Sequence, residues 1–255
     1  MALGSLGTFC SVQTKAAGSS WTFSPEAQYN AGEMCVLIVA TNNNATGDGN
    51  FNEHLSVTDT GGNVWTKAHP NGEFANGQGS AAAGATVSVW RSFIKTTVTV
   101  ALGSLTLTMS TSQTAKAATG WRFSLGLSGL SVVGSAVLAD DGIDPGSMTL
   151  SSLANVAHLF VRAIAQEDPS TTWVSTGSYT PFDHAGANTT GGAAATNMAA
   201  RGEFRILSAT GDTSNPSSVA ADHASLYLAF DEVDPRPRGV RIQSSREPNP
   251  ADLIW

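Results

Sequence analysis

The sequence predicts an all-β protein: an antiparallel two-sheet β-sandwich, jelly-roll-like, followed by an extended C-terminal arm. Three observations predict it. Short apolar or alternating runs recur along the chain, with Gly, Asn, Asp and Ser clusters between them about every 8–15 residues, the rhythm of short strands and turns. No stretch carries a convincing amphipathic helical stripe. The last twenty-two residues, Asp234–Trp255, hold four of the ten prolines, which fix φ and remove a donor, so this stretch is neither an interior helix nor a central strand.

Trp21–Phe23 is the first candidate strand after the leading segment. Met34–Thr41 (MCVLIVAT) is a continuous apolar run of strand length, the pattern of a strand buried on both faces. Asn42–Asn50 reads as a loop. Leu55–Thr58 and Val64–Lys67 flank Asp59-Thr60-Gly61-Gly62-Asn63, which predicts a β-hairpin, because Gly and Asn supply the positive φ of a tight turn. His69–Gly84, rich in Gly, Asn and Ala, predicts a long mobile loop. In Thr86–Phe93, Val87, Val89, Arg91 and Phe93 share one face, and Thr86, Ser88, Trp90 and Ser92 the other. Leu105–Met109 alternates apolar residues with threonine. Ala117–Leu125 sets Trp121, Phe123 and Leu125 at period two, and Val132–Ala139 is a further strand. Asn155–Ala165 has the length of a helix, but its β-branched Val161 and Ile164 and the nearby Pro169 favour a strand. Gly177–Thr196 predicts a long polar loop, and Glu203–Ser208 and Ser225–Phe230 complete the set. No composition break divides residues 1–233, which read as one sandwich domain; residues 234–255 are the arm. Short repeats are absent, which argues against a propeller or solenoid.

Charged residues make up 13% of the chain, about half the usual ~25%. With 26 glycines, the surface falls to Ser, Thr, Asn, Gly and Ala, as in a β-rich extracellular or virion protein. The net charge is −7 and no basic cluster exists outside the arm, so nucleic acid is not an expected partner. The N-terminal MALGSLGTFC lacks the basic region and apolar run of a secretory signal. The longest apolar run, Met34–Ala40, is far short of the ~20 residues of a membrane span, so no membrane is expected either. Cys10 and Cys35 allow one disulfide or two buried thiols, and spacing leaves both open.

Residues that could carry chemistry are scattered. His54, His69, His158, His184 and His223 show no zinc-site spacing; His158 lies in an apolar run as a satisfied, partly buried histidine, and the rest read as loop residues. Asp48-Gly49-Asn50-Phe51-Asn52, with Asp59 beyond, places oxygens at alternate positions as hard-cation loops do, but Glu53 stands where such a loop needs Gly. Asp140-Asp141-Gly142-Ile143-Asp144 is an acidic turn of the same kind. Neither predicts a metal site, and no motif predicts a cofactor. No G-x-S-x-G or phosphate-binding loop is present. Glu53, Asp59 and Glu203 are the acids available for a glycan-cleaving pair, and the ordinary exposure of acids predicts solvated charges instead. Trp21, Trp65, Trp90, Trp121 and Trp173 offer either core anchors or a sugar-stacking platform. Trp90 and Trp121 belong to the core by their strand positions; Trp65 and Trp173, nearer turns, are the candidates for glycan stacking.

The order of motifs resembles a loose family. A buried strand after AGE is followed by VTDTGGNVW, VSVWRSF, LTLTMS, WRFSL and a closing SLYLAF. Across about Gly32–Phe230 this is similar to β-sandwich domains of tailed-phage virion proteins and bacterial surface proteins. Its sharpest motif is D-x-x-G-N-x-W (Asp59, Gly62, Asn63, Trp65), a hairpin signature and not an active site. The resemblance implies a fold and a structural or binding role, and no catalytic residue.

The expectation is therefore a non-enzymatic structural component of a tailed-phage virion, a capsid decoration protein or tail component. It would act in a homo-oligomeric array with other virion proteins and copies of itself. The arm supplies the contact: Arg236, Arg238, Arg241 and Arg246 pair with acidic patches, and Leu253, Ile254 and Trp255 fill an apolar pocket. The alternative is a receptor- or carbohydrate-binding module whose partner is a host-surface glycan, presented near residues 69–84 and 177–196. A glycan-cleaving enzyme is the third reading.

Overall fold

In the computed structural model, residues 3–42, 47–49, 52–77, 84–126, 129–167, 172–193 and 196–233 are described, with 140–143 traced by their backbone alone. The predicted arm, with Arg236, Arg238, Arg241, Arg246, Leu253, Ile254 and Trp255, lies outside the described residues. The described residues are all-β. The first half contains β1 (Gly4–Thr14), β2 (Gly18–Phe23), β3 (Met34–Asn42), β4 (His54–Asp59), β5 (Thr66–Lys67), β6 (Glu73–Asn76), β7 (Ala85–Phe93), β8 (Leu105–Gln113) and β9 (Lys116–Ser124). The second half contains β10 (Leu130–Ile143), β11 (Met148–Leu150), β12 (Val156–Gln166), β13 (Trp173–Val174) and β14 (Thr180–Pro181). It ends with β15 (Ala199–Ala209), β16 (Asp212–Ser214), β17 (Ser217–Ser218) and β18 (Ala221–Glu232).

The predicted antiparallel sandwich is present, with a further layer. A central sheet runs β1-β9-β3-β7-β5, and β6 also pairs with β7. One of its faces packs on the sheet β2-β8-β4 and the other on the sheet β10-β18-β12-β15-β14. β3 shows why its run is unbroken. Val36, Ile38 and Ala40 enter the core shared with the β10–β18 sheet, while Cys35, Leu37 and Val39 enter the core shared with β2-β8-β4. All nine of its residues are buried, so a strand with no solvent face has no polar phase. β7 divides as predicted: Val87 and Val89 on one side, Trp90 on the other. Leu105, Leu107 and Met109 of β8 point inward. Asn155–Ala165 forms a strand, paired along its length with β15 and β18.

β1 with β9 and β2 with β8 form two pairs that cross between sheets at the same place. Two polar side chains hold that bend. Buried Lys116 donates from Nζ to the carbonyls of Ala16 (2.6 Å) and Gln113 (2.7 Å). Asn42 Oδ1 accepts from the N–H groups of Thr114 (3.2 Å) and Ala115 (3.0 Å). Burial lowers the Lys116 pKa, and the carbonyl set gives its protons acceptors in place of water.

Three local expectations are corrected. Leu55–Thr58 and Val64–Lys67 do not form a hairpin: β4 pairs with β8 and β5 with β7, so the turn between them is a corner joining two sheets. His69–Gly84 contains β6, a buried strand paired with β7, and Gly177–Thr196 includes β14 and the buried Tyr179, Phe182 and Ala187. The leading segment is β1, whose Phe9 and Cys10 are fully buried. Gly120 on β9 lets Phe9 in: a Cβ there would sit 2.4 Å from its ring.

Candidate functional site

The D-x-x-G-N-x-W motif builds the corner. Asp59 Oδ2 accepts from Trp65 Nε1 (2.9 Å) and from the Tyr29 hydroxyl (3.2 Å), and its Oδ1 accepts from the Asn63 N–H (3.0 Å). Asn63 Oδ1 in turn accepts from the N–H groups of Lys95 (2.8 Å) and Thr96 (2.9 Å). Gly62 turns the chain at φ 67°, a conformation costly for most side chains. The motif is thus a knot tying three loops at one end of the stack. Trp65 is 7% exposed, with its indole N–H committed to Asp59, so it offers no face for a sugar; the glycan-stacking expectation is corrected here. Trp173 is half-buried on the short strand β13. Its ring meets His184 edge-on at 5.2 Å, and its Nε1 donates to Ser175 Oγ at 3.1 Å.

The acids read as solvated are ties. Glu53 and Glu203 are buried, which corrects that expectation. Glu53 accepts from Thr111 Oγ1 (3.0 Å) and from Gln113 Nε2, and burial raises its pKa. Beside it, fully buried Glu73 accepts from the N–H groups of Glu53 and His54 and from Lys67 Nζ (2.8 Å). His54, at the start of β4 and not in a loop, donates or accepts with Thr41 Oγ1 at Nε2 (2.9 Å) and with Ser88 Oγ at Nδ1 (2.6 Å). Burial, then the nearby Lys67 charge, lowers its pKa to about 3, so the ring is neutral.

Ser88, His54 and Glu73 have the residue types of a nucleophilic triad but not its geometry. A triad sets nucleophile and acid on opposite ring nitrogens. Here Ser88 and Glu73 both face Nδ1, at 2.6 and 3.9 Å, and Thr41 holds Nε2. All three residues are fully buried. Nor do the sequence-predicted acids converge. Glu53 and Asp59 lie beyond one end and at the other end of β4. Six strand steps separate them by about 20 Å, more than twice the separation of a glycosidase pair (roughly 5–9.5 Å). Glu203 is on β15, in a different sheet.

A second cluster lies on the outer side of the β10–β18 sheet. Tyr179 donates its hydroxyl to Asp212 Oδ2 (2.5 Å), so the proton between Tyr179 and Tyr227 (2.5 Å) comes from Tyr227. Arg205 Nε donates to Asp212 Oδ2 at 2.6 Å, and its guanidinium carbon stacks 4.6 Å from the Tyr179 ring centre. Glu203 accepts from Ser214 Oγ (2.7 Å) and from the Thr176 N–H (2.9 Å). Burial raises the Tyr179 pKa to about 12 and drives that of Tyr227 up further. No local spacing announces this cluster, because its members come from residues 176–179, 203–214 and 227.

The remaining histidines and the cysteines are structural as well. His158 is fully buried, bonded to Asp231 and, at 2.7 Å, to the Ala154 carbonyl. His223 is a buried residue of β18, so it too is not a loop residue. Cys10 and Cys35 are free buried thiols. β9 runs between their strands, setting them about 10 Å apart, beyond the ~7 Å limit for a disulfide. Asp48 Oδ1 accepts from the Gly77 N–H at 3.0 Å, and the Asp59 carboxylate belongs to the corner, so these two do not form the alternate-oxygen loop. Among the described residues no three His, Cys, Asp or Glu side chains gather to hold a metal ion.

Apolar side chains are exposed at one end of the described surface. Val64, Val100 and Leu102 are exposed, Leu102 at 86%, around the loops tied by the Asp59 knot. The cleft lined by Thr60, Gly61, Val98 and Leu102 measures about 190 Å³, below the ~300 Å³ of a small-molecule site. The long strand β10 lies at the edge of its sheet. Compared with protein-family models, curated proteins and solved structures, the chain matches none.

Proposed function

We propose that the chain is a structural component of a tailed-bacteriophage virion, a capsid decoration protein or tail component, assembling through protein–protein contacts that include its C-terminal arm. One observation carries this reading: three acids of the body, Asp59, Glu73 and Asp212, are spent as internal ties. Asp59 knots three loops, Glu73 joins β4, β6 and Lys67, and Asp212 joins Arg205 to two tyrosines. A stack braced in this way suits mechanical service, and a surface poor in charge suits close packing of many copies. The resemblance of its motifs to phage virion sandwiches supports this reading, and the Arg- and Pro-rich residues 234–255 would supply a strap whose effective concentration makes weak contacts add.

The carbohydrate-binding alternative has lost Trp65 to the core and rests on Trp173. Particle assembly tests the main reading. Chain lacking residues 234–255 folds but is missing from purified particles in which the full chain is present. Normal incorporation of the shortened chain contradicts the role of the arm.

A further inference from the structure

We propose that the free edge of β10 pairs with the same edge of a second copy across a two-fold axis, joining two five-stranded sheets into one. β10 ends the order β10-β18-β12-β15-β14, and among the described residues no strand pairs with its other side. Long bare edges invite pairing, and proteins blunt them by shortness, proline, charge or cover. The opposite edge of the same sheet is blunted: β14 is two residues, Thr180–Pro181. The β1 edge of the central sheet is covered, since Phe9 O accepts from the N–H groups of Glu26 (2.7 Å) and Ala27 (3.2 Å), and Ser11 Oγ from that of Gly186 (2.9 Å). Residues 130–139 of β10, LSVVGSAVLA, have no charge and no proline, and the one bulge, at Val133, interrupts the ladder to β18. Val133 and Val137 stand 42% and 40% exposed.

The middle of the strand, Val133–Val137, is its own complement. In an antiparallel register centred on Ser135, Val133 meets Val137 of the second copy and Gly134 meets Ala136, and the bulge at Val133, which turns Val132 to the face opposite Leu138, ends the match there. Both members of these two pairs are apolar, and Ser135 faces its own counterpart on the axis, as a two-fold contact requires. A register centred one residue either way sets Val137 against a serine, Ser131 or Ser135. A second copy is therefore the occupant that the symmetry of Val133–Val137 favours. The contact is independent of the arm.

Cysteine cross-linking of the full chain tests this. Ser135→Cys places a thiol on the axis, against a background of buried Cys10 and Cys35. Under mild oxidation it forms a covalent dimer at least tenfold faster than Val174→Cys, an exposed position away from β10. Adding Val137→Lys removes that advantage while the circular dichroism of the fold is retained. Deleting residues 234–255 leaves it in place, so failure of the edge and failure of the arm are told apart. Cross-linking of Ser135→Cys no faster than that of Val174→Cys, or unaffected by Val137→Lys in a folded chain, overturns the proposal.

Discussion

Two buried carboxylates, Glu73 and Asp212, do the same kind of work in different places. Glu73 lies inside the first half, wholly buried, and receives two backbone N–H groups and the Lys67 ammonium. Asp212 lies outside the β10–β18 sheet and receives a tyrosine hydroxyl and an arginine whose side chain is 23% exposed. The first holds buried backbone at the start of another strand; the second holds side chains from distant loops and strands, one of which water partly reaches. Burial of the partners, more than the number of bonds, therefore sets what each tie is worth.

The largest expected effect follows at the interior tie. Glu73→Ala strands two buried N–H groups and Lys67, and costs about 3–5 kcal/mol, read as a fall in the urea midpoint. A cost no greater than that of Asp212→Ala would erase the contrast.

Acid sharpens it next. His54 and His184 are held neutral by burial, with pKa values lowered from 6.5 to about 3 and about 4. The unfolded chain binds protons there first, so stability is complete above pH 6.5 and is lost as the pH falls toward 3–4. Each ring contributes up to about 1.4 kcal/mol per pH unit. Glu167 works in the opposite direction: burial raises its pKa from 4.5 to about 7, so its contribution is present below 4.5 and is lost as the pH rises through 7. Stability measured from pH 4 to 8 should flatten on the acid side in His54→Gln and steepen in Glu167→Gln. An unchanged profile in His54→Gln would mean that the buried ring does not control the acid limb.

The smallest effect lies at the peripheral tie. Tyr179→Phe removes one hydroxyl that donates to Asp212 and accepts from Tyr227, at a cost of about 1 kcal/mol. A loss as large as that of Glu73→Ala would show that the outer cluster is as tightly sealed as the inner one.

The sequence revealed strands wherever burial writes a period. The unbroken run of β3 and the alternation of β7 and β8 carry their two-sided and one-sided burial openly. It concealed β6, whose Glu and Asn are buried because Glu73 finds partners at residues 53, 54 and 67. The corner at Asp59 reads locally as a hairpin because its glycines set the turn, while the choice of sheet is made by Lys95 and Thr96, thirty residues away. The ties at Glu53, Glu203 and Asp212 were illegible for the same reason: their donors are distant in the chain. The β10 edge is different, since the uncharged run of residues 130–139 and the symmetry of Val133–Val137 about Ser135 stand in the sequence, and only its place at the end of a sheet was missing.

In the proposed function, a braced body is carried into an assembly by its arm. The most direct test is the mass in solution, by light scattering, of the full chain and of residues 1–233, each with its thermal midpoint. The full chain should form an assembly larger than a dimer, and residues 1–233 a dimer with an unchanged midpoint. A full chain that stays monomeric, or assemblies of undiminished mass without the arm, would contradict it.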